Sequence, residues 1–262
     1  MVLLPNHFNA QDFQGVAIYK SHQKVDLKIN DNKGNSEMQK QIQEQLKKQF
    51  QKEYTLTFNK NESVYKENEK LDAPAPSASG FKISLGQSDD ILYKNIKEHR
   101  FVKKTDIFGK LFLVKDSLVA SKWELVNETK NIGEYTCFKA VYTEDYTTKK
   151  LTETGDFENE SKQRTTTVWY TPQVPVSHGP DTYFGLPGLI LEVNDGSTTL
   201  VCTKIVINPK EDLTIEEPKK GKEVNKAEFD DIQDKKTKEM MEKFQTRSGS
   251  SNGDHIVIKI GG

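Results

Sequence analysis

The chain has 262 residues, long enough for one domain or two around a buried core. Its 38 Lys+Arg nearly cancel 39 Asp+Glu to leave a formal charge of -1, which excludes a protein held on nucleic acid or anionic lipid by its overall field. With 34% hydrophobic and 29% charged residues the chain is very polar, and no apolar run approaches the roughly 18 residues that cross a bilayer as a helix, so no transmembrane segment is expected.

Residues 1–11 read as a residual signal-like or disordered start: Val2, Leu3 and Leu4 are apolar and Ala10 is a small residue suited to a cleavage site, but the basic region and the longer apolar run of a full signal are missing. From Phe13 to Ile29 alternation predicts strand. Ser36 and Gln39 then form a capping box ahead of a helical stripe, Met38, Ile42, Leu46 and Phe50, predicting an amphipathic helix that lies on a sheet. Tyr54, Leu56 and Phe58 share one strand face, and Ser63 to Lys66 returns as its hairpin partner. Residues 70–80, rich in Ala, Pro and Ser, read as a flexible loop.

Short strands are expected at Ile91–Lys94, His99–Lys104, Gly109–Val114 and Lys122–Val126, and a longer one from Tyr135 to Tyr142. Residues 144–164 are acidic, Thr-rich and poor in apolar side chains, which predicts an exposed flexible loop. Thr165–Tyr170, Leu189–Val193 and Thr199–Ile207 resume the strand pattern, and Asp212–Glu217 is one further candidate. Asn225 and Glu228 form a second capping box, with Phe229, Ile232, Met240 and Phe244 on the buried face of a helix to about residue 245. Residues 246–262 read as a flexible tail. Together these predict a single domain over 12–245 that is mainly β (α+β): a curved antiparallel sheet or half-barrel with two amphipathic helices packed against it.

The chemistry-bearing patterns are sparse. There is no HExxH, phosphate-binding GxxxxGK[ST], GxGxxG or CxxC, and the five histidines have no second histidine or cysteine at close spacing, so neither a metal nor a cofactor is expected. Cys137 and Cys202 are compatible with one bridge closing a loop of about 65 residues, worth about 4 kcal/mol, or with two buried thiols.

Val168–Val193 is the concentrated anomaly. Pro172, Pro175, Pro180 and Pro187 alternate with Gly179, Gly185 and Gly188 and with Trp169, Tyr170, Tyr183 and Phe184. So many prolines leave a rigid connection without regular ladder bonds. Gly185, Pro187 and Gly188 are read as a structural turn, with Pro187-Gly188 at the centre of a type II turn. Trp169, Tyr170, Pro172, Tyr183, Phe184 and Leu186 are the candidate contacts for a ligand or partner, since rigid aromatics bind at low entropic cost. His178 and Asp181, three residues apart across Gly179-Pro180, are the candidate pair for an alternative reading as an envelope hydrolase.

The run Gly185-Leu186-Pro187-Gly188-Leu189-Ile190 resembles the signature of the GLPGLI family of Bacteroidota envelope proteins. Trp169-Tyr170-Thr171-Pro172, Gly133–Ala140 and Leu111–Asp116 extend the likeness, from about Asp12 to Met241. The resemblance implies export to the periplasm or cell envelope through a signal peptide that is incomplete here, and favours the Cys137–Cys202 disulfide. It carries no activity and no catalytic residue. The expected function is a non-enzymatic envelope protein that binds a hydrophobic or peptide ligand, or an envelope partner, in the concavity of its sheet.

Overall fold

The computed structural model describes residues 13–23, 25–27, 51–69, 89–107, 109–151, 157–248 and 258–260. In chain order the elements are β1 (Gln14–Gln23), β2 (Val25–Leu27), β3 (Glu53–Asn59), β4 (Glu62–Glu67), β5 (Ile91–Asn95), β6 (Arg100–Ile107), β7 (Lys110–Ser117), β8 (Glu124–Ile132), β9 (Tyr135–Leu151), β10 (Phe157–Thr171), β11 (Leu189–Asn194), β12 (Thr198–Ile207), β13 (Lys222–Val224), α1 (Lys226–Ser248) and β14 (Ile258–Ile260). Among the described residues twelve strands form one open sheet in the order β13-β7-β6-β5-β4-β3-β1-β12-β11-β10-β9-β8. Strands β3 to β7 make one meander and β8 to β12 a second, and β1 is the seam between them, pairing antiparallel with β3 and β12. The β13–β7 pair is parallel.

Alternation places the core. Across the first meander Ala17, Leu56, Tyr65 and Leu92 are cross-strand partners in one row, and Gly15, Phe58, Ser63 and Lys94 in the next. These rows are buried together with Tyr19, Leu189 and Leu191. Each large apolar side chain here contributes about 1.5–3 kcal/mol by leaving water. Bulges at Ile18/Tyr19, Trp169/Tyr170 and Val126/Thr129 bend their strands, as an extra residue on one side of a ladder does. The opposite face is closed over Tyr93, Val102 and Leu113 by Ile215 from the segment after β12.

The mainly-β class and the curved antiparallel sheet are as expected; the two packed helices are not. Among the described residues there is one helix, α1, and it sits at the β7–β13 end, with Phe229 and Ile232 against Phe112 and Val224. The helix expected over Ser36–Phe50 lies outside the described residues, as do residues 1–11 and 70–80. What covers the inner face is irregular chain, residues 172–188, because its own valines, Val174 and Val176, join the core.

Residues 144–151 and 157–164 are strand, not loop. Apolar content was a poor guide because this ribbon is held by polar cross-strand pairs: Arg164 with Glu144, the Thr143 and Thr165 hydroxyls 3.1 Å apart, and the Arg164 guanidinium over the Tyr146 ring. Asp212–Glu217 is not a strand; the chain pairs only from Lys222, beyond Gly221, where a β-carbon would stand 2.8 Å from the Phe112 carbonyl carbon. Ile258–Ile260, expected in a free tail, pairs with Val25–Leu27.

The second capping box is formed as expected. The Asn225 side-chain oxygen accepts from the Glu228 N–H at 2.9 Å, and the Glu228 carboxylate accepts from the Asn225 N–H at 3.0 Å. Asn225→Ala is expected to lower stability by about 1 kcal/mol in urea unfolding, with Asn225→Asp close to the unmodified chain. Equal midpoints for all three would show that α1 draws nothing from its cap.

Candidate functional site

Between β10 and β11 the chain leaves the ladder at Thr171 and runs as a strap over the inner face to re-enter at Leu189. Prolines remove donors and the path runs beside no strand among the described residues; local backbone bonds satisfy the carbonyls of Val174, Ser177, His178, Pro180 and Leu186, and others need side chains. Lys94, on β5 and 0% exposed, serves three of them. Its Nζ donates to the carbonyl oxygens of Gly179 at 2.9 Å, Tyr183 at 3.3 Å and Asp181. An ammonium has three hydrogens, and here it finds three acceptors. The curl that brings these carbonyls to one point passes through Asp181, at φ 48°, in the left-handed region. Burial pulls the Lys94 pKa down from 10.5 to about 7, with the Asp181 charge opposing.

His178 lies beside it, also 0% exposed, against the Phe58 ring. A carbonyl can only accept, so the 3.0 Å contact of His178 Nε2 with the Asn59 oxygen fixes the proton on Nε2 and leaves Nδ1 as the bare nitrogen. Among the described residues Nδ1 has no hydrogen-bond partner, and neither does the buried hydroxyl of Ser63, the residue directly opposite Lys94 on β4. Burial first, then the Lys94 charge, lowers the His178 pKa from 6.5 to about 3. The geometry does not join His178 to Asp181: the imidazole bonds β3, and Asp181 contributes its carbonyl to Lys94.

Two further donors hold the strap and its exit. Trp123 Nε1 donates to the Phe184 carbonyl at 2.9 Å, and Tyr19 Oη to the Ile190 carbonyl at 2.7 Å. Gly188 is required by proximity rather than by a type II turn. The Leu189 N–H bonds Val174 instead of closing a turn onto Leu186, while the Gly188 N–H reaches Leu186 at 2.8 Å in a tighter turn around Pro187. A β-carbon on Gly188 would stand 2.3 Å from the Thr171 oxygen. Gly185, at φ 93°, is the position where a left-handed backbone is used.

The candidate contact residues separate. Tyr170, Phe184 and Leu186 are buried core; Tyr183 and Trp169 are half-buried; Pro172 is exposed. Trp169 has the Lys130 ammonium 4.4 Å and the Lys139 ammonium 6.0 Å from its ring centre, and those lysines pair with Glu192 and Glu128. Cys137 and Cys202 are free thiols in one core cluster, so the expected bridge is not present. Two strands, β10 and β11, separate their own in the sheet, and burial raises the thiol pKa values to about 11 and about 12, which leaves little thiolate for exchange.

Residues 123–192 match the model of a family described as "Protein of unknown function (Porph_ging)". The matched segment contains the whole strap. No curated protein matches the chain. Two solved structures, "Structure of PNGF-II in C2 space group" and "Structure of PNGF-II in P21 space group", are similar to it at 16% identity and a TM-score of 0.49, over 86% of this chain and 33% and 34% of theirs. The chain therefore spans about a third of the length of those structures.

Reasoning from sequence missed Lys94, Ser63 and Tyr19, which carry no motif. A lysine in a strand reads as solvated, and only the buried acceptors of a segment some 85 residues away reveal its role. Lys94→Met leaves those carbonyls unsatisfied and is expected to cost at least about 2 kcal/mol in chemical unfolding. Unchanged stability would mean that the ammonium is dispensable. Gly188→Ala should cost more than about 2 kcal/mol, whereas Gly196→Ala, with φ 92° but open space around it, should cost only about 1 kcal/mol; a reversed order in thermal melts would overturn the close-approach account.

Proposed function

We propose that the chain is a non-enzymatic binding protein of the cell envelope, of the GLPGLI type, that acts in the periplasm by engaging a peptide segment or partner protein at the β8 end of its sheet. The reading rests on where apolar surface remains. The concavity that would receive a ligand is filled by the strap and by Tyr19, Phe58 and Leu189, whereas the large exposed apolar residues among those described are Val119 at 80%, Leu125 at 65% and Phe138 at 40%. Leu125 pairs across the ladder with Ala140, and Phe138 stands two residues from Ala140, so both project from one face of the terminal strand pair. Phe138 stacks obliquely on Tyr170, whose neighbours hold the strap, which makes this rim continuous with the core. The family-matched segment includes Leu125, Phe138, Trp169 and the strap. Apolar residues on a well-packed rim are what a partner surface needs.

The test pairs the intact chain with Leu125→Glu/Phe138→Ser. Immobilised protein is exposed to a Bacteroidota envelope extract, with the melting temperature of both forms as the control for folding. A component retained by the intact chain and reduced at least tenfold by the double variant, with melting unchanged, is the expected result. Equal retention by both, or retention by neither, overturns the rim as the binding surface.

A further inference from the structure

We propose that the 172–188 strap is an acid-released clasp: a proton taken by His178 Nδ1, beside the Lys94 ammonium, detaches the strap from β3–β5 and uncovers the apolar inner face of the sheet. This inference is independent of the rim surface proposed above.

The clasp joins the two meanders. The strap belongs by sequence to the β10–β11 side, where its backbone bonds run from Leu189 to Val174 and from Ile190 to His178. Its bonds to the other meander are side-chain bonds, Lys94 to three carbonyls and His178 Nε2 to Asn59. Both side chains are bases whose charged forms are penalised where they stand. For His178 the geometry states the cost directly. With Nε2 committed as donor, the next proton must go to Nδ1, a buried atom with no partner among the described residues to accept from it. The resulting imidazolium would face a second cation, Lys94. The other titratable groups toward this site are Asp181 and the Tyr183 phenol on the strap and the phenols of Tyr65 on β4 and Tyr54 on β3, which feel Asp181, with the carboxylates of Glu67 and Asp90 acting on those phenols in turn. The phenols are neutral across the acid range, and among the described residues Asp181 is the carboxylate acting on Lys94. Beneath the strap lie Tyr19, Leu56, Phe58, Tyr65 and Leu92, so release exposes a continuous apolar floor.

The sign follows from proton counting. Closed, His178 binds its proton only near pH 3; released into water, it binds near 6.5. Between these values the open form holds one more proton, so acid favours opening by about tenfold per pH unit. Lys94 acts in the same direction in its own window, between 10.5 and about 7.

Hydrogen exchange of the full chain, as protection factors corrected for intrinsic rates, tests this. The amides of Gly185, Leu189 and Ile190 report the strap, and those of β1 and β3 report the seam. From pH 6.5 to 4 strap protection should fall by about tenfold per unit while seam protection falls less. Trp123, whose indole bonds the strap, should shift its emission to the red in a Trp169→Phe background over the same range. His178→Gln keeps a donor at the Nε2 position and cannot take the proton; it should flatten this slope while leaving the alkaline one. An unchanged acid slope in His178→Gln, or strap and seam losing protection in parallel in the unmodified chain, overturns the clasp. The second comparison needs no variant to fold.

Discussion

Irregular backbone laid across an apolar sheet must find donors for its carbonyl groups, and in this protein one lysine meets that need for three of them at a single point. The strap has no strand beside it, and water is excluded by the core on which it lies. A buried acceptor left unpaired costs about 1–3 kcal/mol, and here the Gly179 carbonyl is buried while those of Asp181 and Tyr183 are part-buried, so losing their shared donor is a sizeable loss against a domain's net stability of about 5–15 kcal/mol. Lys94 serves all three from a single Cα position. The seat of β5 explains how it can: both faces of that strand are covered, with Tyr93 toward Ile215 on one side and Lys94 toward the strap on the other.

From the same constraint follow the glycines. Gly179 packs where a β-carbon would meet Ile190 and the Tyr183 oxygen at 2.9 Å, and Gly188 lies on the Thr171 carbonyl. Proline supplies stiffness between them, and glycine supplies approach. The aromatic residues of the segment also divide. Tyr170 and Phe184 are core, whereas Trp169 lies half-buried against the edge of the core with the Lys130 and Lys139 ammoniums near its ring.

Much of this architecture was legible in the sequence, and the losses have physical causes. Alternation at Tyr54–Phe58 and the capping box at Asn225–Glu228 read correctly, because each signal is local and the tertiary fold does not override it. The 144–164 ribbon was misread because its pairing energy lies in charges, hydroxyls and β-branched threonines rather than in burial. The proline-glycine segment was legible as an anomaly but not as a turn type: Gly188 answers to Thr171, a neighbour in space that a local pattern does not contain. Lys94 was invisible for the same reason, since its acceptors stand on a different meander.

Why a base rather than an apolar side chain should fill this place can be argued from the alternatives. Replacing buried ion pairs with hydrocarbon is often neutral or favourable, because both desolvated partners disappear together. Here the acceptors are backbone and cannot be substituted away, so hydrocarbon at position 94 removes the donor alone. Arginine has the reach, but its planar fork matches carboxylates better than three converging carbonyls. Lysine offers three hydrogens on a compact head and a stem that packs against apolar neighbours, and it retains donors even when it gives up a proton. The cost is a site whose proton affinity differs between the closed and the solvated state. Where a fold ties an irregular strap down with amines and imidazoles, its attachment to the sheet is therefore coupled to pH as a consequence of satisfying backbone, whatever else that coupling comes to serve.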